Sequence, residues 1–284
     1  MTALSRRTVR ELEELLDALI GEIDLEAECQ NIVRIREKLE SRKTQVLRIP
    51  KTMPKFCTKK VLVCEKFSGI PLADVVSREY ELSAPLRKKL ARKMLGEMLV
   101  QVFELGLFHG DPHAGNLILL DDGSVGLFDW GMTGELTEMD RHHIAAILKA
   151  IIAMDIERLI DALENLSLQN EMDIDRSAIK KELQKVIKLF KEAREKEKKP
   201  SFQELFEACL KGAAKLGIEV PDGLLMMAKS LVTIEGLAKG IDPQVSFKRV
   251  ASPILFRAAQ PGFADVINLS LRIPKMAMKA FSEK

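Results

Sequence analysis

The stretch Phe108-His109-Gly110-Asp111-Pro112-His113-Ala114-Gly115-Asn116, followed by Phe128-Asp129-Trp130-Gly131, decides how the rest of the chain is read. Asp111 precedes Asn116 by five positions, and Asp129 follows Asn116 by thirteen. Between them, Leu117-Ile118-Leu119-Leu120 and Ser124-Val125-Gly126-Leu127-Phe128 read as two short apolar strands joined by Asp121-Asp122-Gly123, and Asp-Gly is favoured hairpin chemistry. Such a hairpin returns Asp129 to the side of Asp111 and Asn116. The residue types then suit phosphoryl transfer. A carboxylate must orient or accept the proton of the attacking hydroxyl, and hard oxygen donors must hold Mg²⁺ against the phosphates. Asp111 fits the first role, and the Asn116 amide oxygen and the Asp129 carboxylate fit the second.

Taken singly, these residues have ordinary readings. Asp-Pro opens turns, Asn caps them, and Asp-Trp-Gly could be a loop around a buried indole. It is their joint order around one hairpin that favours the catalytic reading.

Composition bounds the alternatives. With 284 residues and 46% hydrophobic content, the chain can bury the core of one large or two small domains. Its 44 basic and 42 acidic residues leave a net charge of +2, which argues against bulk attraction to nucleic acid. Cys29, Cys57, Cys64 and Cys209 form no C-x-x-C pair and read as separate buried thiols in a reducing compartment, not as a zinc or disulfide framework. There is no signal-peptide pattern and no run of about 18 apolar residues, so the expectation is a cytoplasmic chain, soluble or peripheral to a membrane, with no transmembrane segment.

Along the chain, Thr8 to Ile20 has the periodicity of an amphipathic helix. Glu22-Ile23-Asp24-Leu25-Glu26-Ala27-Glu28 leads into a second helix with Ile32, Ile35 and Leu39 inward. On spacing alone, those acids suit a helix N-terminus. Val46 to Pro50 and Val61 to Glu65 read as strands, the second running into Lys66-Phe67-Ser68-Gly69-Ile70-Pro71. Ala84 to Leu105 is helical and stops at Gly106; Thr137 to Asp140 forms a capping box for the next helix. Helical stretches at Ile156 to Leu166, Asp175 to Lys196, Ser201 to Leu216 and Gly223 to Lys239 follow. Ile254 to Phe281 is apolar and mildly basic, which fits either packing on the protein's own helices or contact with a membrane surface.

His109-Gly110-Asp111-x-His113-x-Gly115-Asn116 followed by Asp129-x-Gly131 resembles the loops of aminoglycoside and choline phosphotransferases and of the UbiB/ADCK (AarF-type) atypical kinases. Three further stretches select the UbiB/ADCK branch: the Glu22-x-Asp24 pair, Gly69-Ile70-Pro71-Leu72, and Leu231 to Pro243 with Thr233-Ile234-Glu235-Gly236-Leu237. The resemblance runs from about Gly21 to about Ala259. It implies a helix-rich α+β protein-kinase-like fold, with residues 1–67 as a partial N-lobe and 68–284 as a helical C-lobe bearing the catalytic loop. It further implies binding of ATP or ADP with Mg²⁺, and kinase or ATPase activity supporting isoprenoid-quinone (ubiquinone) lipid biosynthesis.

By resemblance, Asp111 would be the catalytic base and His109 the brace of its loop. Asn116 and Asp129 would be metal ligands, and Glu22 and Asp24 nucleotide-side residues. Glu28 would pair a nucleotide-binding Lys, and backbone groups near Glu65 and Phe67 would meet the adenine. The family's Val-Ala-x-Lys strand, its phosphate loop and its Lys-x-Gly-Gln segment are not found upstream of these helices, so the sequence looks like a member whose N-lobe is truncated. A rival from another class follows: a non-catalytic pseudokinase, or a half-protein completed by a separately encoded N-lobe piece. Expected partners are the nucleotide, that piece and a membrane or quinone-precursor lipid, with no nucleic acid.

Overall fold

The computed structural model describes residues 24–40, 47–169, 176–195, 201–215, 220 and 222–259. The expected Thr8 to Ile20 helix, Glu22 and most of the C-terminal apolar stretch lie outside them. The described elements fall into two compact units. One comprises Met1–Gln101, Leu107–Glu135 and Pro221–Ser246; the other comprises Val102–Gly106, Leu136–Val220 and Phe247–Lys284.

The first unit opens with α1 (Leu25–Glu40), whose Cys29, Ile32, Ile35 and Leu39 are buried at helical spacing. Asp24 starts it, accepting the backbone N–H groups of Glu26 and Ala27 at 3.1 Å each. A four-stranded sheet follows in the order β1-β5-β4-β2, built from β1 (Leu47–Arg48), β2 (Gly69–Pro71), β4 (Leu117–Leu120) and β5 (Val125–Leu127). The expected hairpin is β4 and β5, antiparallel with Leu117 opposite Leu127 and Leu119 opposite Val125. Its turn works as its composition requires: Gly123 takes φ of +76°, and the Asp122 carboxylate accepts the Ser124 N–H at 2.8 Å. On β5, β1 pairs in parallel, while β2 pairs antiparallel with β4. The ring of Phe67 fills the space above Gly126, where any Cβ would collide with it.

Val61 to Glu65 does not form the expected strand. This stretch runs antiparallel to 51–53 through isolated pairings, with Met53 N–H to the Val63 carbonyl at 2.9 Å and Glu65 N–H to the Lys51 carbonyl at 2.7 Å. A 3₁₀ turn at Pro54–Phe56 interrupts it, because Pro54 supplies no donor to a ladder. The cysteine expectation also needs correction. Cys29 is buried and within hydrogen-bonding reach of Cys57, Cys57 is half-buried and Cys64 is exposed.

The core of this unit is α3 (Ala84–Val100) against α8 (Asp222–Ile241), with α2 (Leu72–Ser77) beside them. Met94, Leu95, Met98 and Leu99 are fully buried on one side, and Leu231, Ala238 and Ile241 on the other. β3 (Leu107–His109) and β6 (Thr133–Glu135) pair antiparallel, with Phe108 opposite Gly134. The missing side chain of Gly134 makes room for the Phe108 ring.

A π-helical turn, Gln101–Leu105, follows α3 and ends at Gly106 with φ of +68°; the second unit begins within it, at Val102. Arg141 caps that turn through the Phe103 and Glu104 carbonyls at 3.2 and 2.6 Å. α4 (Glu138–Ala153) begins with the expected capping box: Thr137 Oγ accepts the Asp140 N–H, and Asp140 accepts the Thr137 N–H, each at 3.1 Å. The helices α5 (Ile156–Gln169), α6 (Arg176–Glu195), α7 (Phe202–Lys215) and α9 (Phe247–Ala258) complete it. Phe202 of α7 stacks on Phe247 of α9 with centroids 4.7 Å apart. No helix among the described residues is long and apolar enough to cross a membrane.

Candidate active site

The site is assembled around His109, the last residue of β3. Its ring is buried and accepts the Asp111 N–H at Nδ1, 3.0 Å away, while Nε2–H donates to the Asp129 carbonyl at 2.6 Å. One imidazole therefore ties the Asp111 loop to the Asp129 loop. Both bonds need the neutral Nε2–H tautomer. Burial lowers the pKa of His109 to about 4, outweighing the opposing pull of the Asp129 carbonyl and the Asp129 and Asp111 charges. The ring stays neutral at physiological pH, holding the loops through its one N–H and its one acceptor nitrogen.

The hairpin delivers the second pair. Asn116, buried at the end of a 3₁₀ turn (Ala114–Asn116), donates its amide to the Asp129 carboxylate at 3.1 Å. His113 caps that turn by accepting the Gly115 N–H at 3.1 Å. Asp129 itself sits at φ of +64°, an uncommon region for a side chain larger than glycine, and its other carboxylate oxygen accepts the Gly131 N–H at 3.3 Å. The structure keeps an exposed carboxylate in an unfavourable backbone conformation beside a buried amide. Strain of this kind gathers at functional sites.

Helix α1 holds the next residue. The Trp130 N–H donates to Glu28 Oε1 at 2.8 Å, and the Trp130 carbonyl accepts from the Asn31 amide at 2.9 Å. The Trp130 indole is fully buried, with its own N–H on the Leu127 carbonyl at 3.1 Å and its ring 4.9 Å from that of His109. Glu28 is buried too. Desolvation raises its pKa, the Trp130 N–H partly offsets this, and the nearby Asp129 charge adds to it.

Helix α8 closes the site from another direction. Ser230, fully buried, donates to the His109 carbonyl at 2.7 Å, and Lys229 Nζ donates to Asp111 Oδ2 at 3.1 Å. Neither Lys229 nor Ser230 was singled out by the sequence. The available signal was one lysine inside the apolar run Leu224-Leu225-Met226-Met227-Ala228-Lys229-Ser230-Leu231-Val232.

The structure thus gathers Asp111, His109, Asn116, Asp129 and Glu28. Asp24 serves as the α1 cap. Glu65 accepts the Lys51 N–H at 3.2 Å and lies 3.8 Å from Arg48, and Phe67 packs over Gly126, so the described contacts of both are with sheet neighbours. No group of three His, Cys, Asp or Glu among the described residues makes a ready metal cage. Asn116 and Asp129 carry hard oxygens of the kind Mg²⁺ takes, commonly one or two from the protein with phosphates and water completing the shell; here Asn116 turns its amide N–H to the Asp129 carboxylate, so its oxygen would have to rotate in to join such a shell.

Residues 3–163, more than half of the chain, match the ABC1 atypical kinase-like domain, and residues 195–246 match the UbiB helical domain. The chain is 29% identical over 272 residues to a probable protein kinase UbiB of Haemophilus ducreyi, covering 91% of this chain and 47% of that protein. A second relative of that name, from Glaesserella parasuis, is 28% identical over 264 residues, with 88% and 45% covered. A relative from Clostridium pasteurianum, described as an uncharacterized protein in the hydrogenase 1 5′ region, is 28% identical over 247 residues, with 85% and 44% covered. The chain spans about half the length of the curated relatives it matches. Its fold is similar to that of Rv3197 of Mycobacterium tuberculosis, solved with erythromycin, at a TM-score of 0.57 and 17% identity, covering 88% of this chain and 62% of that one. The helix-rich kinase-like fold and these matches place the chain in the ABC1/UbiB atypical kinase-like family.

Proposed function

We propose that this chain binds ATP with Mg²⁺ and takes part in ATP-dependent phosphoryl transfer or hydrolysis, serving isoprenoid-quinone lipid metabolism as the UbiB name of its relatives suggests. One observation carries the reading: His109 bonds to the backbones of both Asp111 and Asp129, and the Asn116 amide bonds to the Asp129 carboxylate. Asp111 orients or accepts the proton of the attacking hydroxyl, and its backbone is held by the neutral imidazole. Asn116 and Asp129 hold Mg²⁺, which when bound neutralises charge on the transferred phosphoryl group. Glu22 and Asp24 act on the nucleotide side, and backbone groups at Glu65 and Phe67 meet the adenine. Residues 1–67 serve as the N-lobe portion and 68–284 as the C-lobe.

A second reading is favoured by Glu28, whose Oε1 accepts a backbone N–H where an ammonium would be expected in an active kinase. In this reading the chain is a nucleotide-binding half whose turnover needs a partner segment carrying a lysine. Thermal shift with ATP, with and without Mg²⁺, tests the nucleotide site. Stabilisation that needs Mg²⁺ and is lost in Asp129→Asn is expected. The substitution preserves shape and tolerates the positive φ. Absence of any shift in the unsubstituted chain would sink independent nucleotide binding.

A further inference from the structure

The catalytic loop is approached by a cation that neither the motif nor the family matches assign. Lys229 donates to the Asp111 carboxylate at 3.1 Å, with its side chain 54% exposed and that of Asp111 34% exposed. A solvated ion pair of this kind contributes too little to fix a geometry by itself. Here the backbone does so. Ser230, the next residue, is fully buried and bonds to the His109 carbonyl at 2.7 Å and to Met98 Sδ at 3.5 Å. One turn earlier, the Met226 sulfur lies against Gly110, where a Cβ would come within 3.1 Å of it and within 2.8 Å of Met132. The catalytic loop is therefore seated on α8, and Lys229 emerges beside Asp111.

The surroundings distinguish this lysine from an ordinary exposed one. Positions three and four residues away on α8 are Leu225, Met226, Val232 and Thr233, so its own helix offers no acidic partner at these spacings. It reaches for Asp111 instead. The site concentrates negative charge: His109 ties the Asp111 and Asp129 backbones together, and Glu28 accepts the N–H of Trp130, the residue after Asp129. An ammonium has three donors, and Asp111 engages one, leaving two for phosphate oxygens. Lysine binds phosphate as a point charge and needs no bidentate geometry.

We propose that Lys229 is the cation that receives the terminal phosphate of the bound nucleoside triphosphate. The inference rests on the nucleotide-binding reading above and adds a residue and a selectivity to it. If Lys229 meets the terminal phosphate, it contributes to ATP binding and not to ADP binding. A residue that merely kept α8 in place would affect both equally.

The test is calorimetric titration of the 284-residue chain with Mg·ATP and Mg·ADP, for the unsubstituted protein, Lys229→Gln and Lys229→Arg. Circular dichroism and Trp130 emission serve as folding checks. Lys229→Gln should weaken ATP binding about tenfold and ADP binding less than twofold, as expected for one charge-assisted hydrogen bond. Lys229→Arg should keep the preference for ATP. Equal weakening of both nucleotides, or no change in either, would overturn the assignment of Lys229 while leaving the nucleotide site standing. Failure of the unsubstituted chain to bind either nucleotide would overturn both.

Discussion

Acid should loosen the site through His109. In the folded protein the imidazole is neutral, with a pKa of about 4 set mainly by burial, against an ordinary value of 6.5. The unfolded chain takes up a proton below about 6.5 and the folded chain does not until about 4, so between these values the unfolded state holds more protons. Stability from this group is complete above about 6.5, is lost as pH falls, and levels off below about 4. At about 1.4 kcal/mol for each tenfold change in proton affinity, the full loss is about 3 kcal/mol. The assay is urea denaturation followed through Trp130, the protein's one tryptophan, fully buried and 4.9 Å from the His109 ring. His109→Gln cannot titrate. It should be about 1–2 kcal/mol less stable than the parent at pH 7, for loss of the acceptor to the Asp111 N–H. By pH 4 that deficit should vanish or reverse, because only the parent has lost the imidazole contribution. Parallel stability curves for parent and variant between pH 7 and 4 would refute the reasoning.

Two further outcomes follow from the same packing. Glu28→Gln keeps an acceptor for the Trp130 N–H and removes a buried charge beside Asp129, so the urea midpoint at pH 7 should rise, by about 1 kcal/mol in stability. Because the pKa of Glu28 is raised, the gain should fade as pH falls through that raised value toward 4.5, and a gain that persists undiminished at pH 4 would count against a buried charge as its cause. Gly134→Ala sets a methyl group into the buried Phe108 ring opposite it, one residue from His109, and should cost about 1–3 kcal/mol by the same denaturation assay. An unchanged midpoint would show that the β3 and β6 pair can open without cost.

What could be read from the sequence was what its short-range chemistry specifies. The Asp-Gly turn between β4 and β5, the stop at Gly106 and the Thr137 capping box are each determined within a few residues, and each appears where expected. The juxtaposition of Asn116 and Asp129 follows from the hairpin. The features that could not be read are closed by distant partners. Glu28 meets Trp130 across 102 positions, Lys229 meets Asp111 across 118, and Ser230 meets His109 across 121. Nothing local marks Glu28 as an acceptor for a backbone N–H, and Lys229 is one of 44 basic residues. The strand expected at Val61 to Glu65 failed for a related reason: its β-branched residues promise a ladder, but Pro54 in the partnering segment supplies no donor and turns the chain away.

The clamp on Trp130 bears on whether the two readings of the chain compete. Glu28 Oε1 is occupied by the Trp130 N–H, and Asn31 holds the carbonyl of the same residue, so α1 fixes the Asp129-Trp130-Gly131 turn without any lysine. A carboxylate has a second oxygen, and at Glu28 an ammonium could approach it without displacing the backbone donor. The turn is therefore held in place, while Glu28 remains buried beside Asp129 with its pKa raised. A lysine delivered to Glu28 by another segment would lower the cost of that buried charge and, on the nucleotide-binding reading proposed above, bring a cation to the phosphates. The two proposed readings are then compatible: nucleotide binding and completion by a partner segment would be two stages in the assembly of one site.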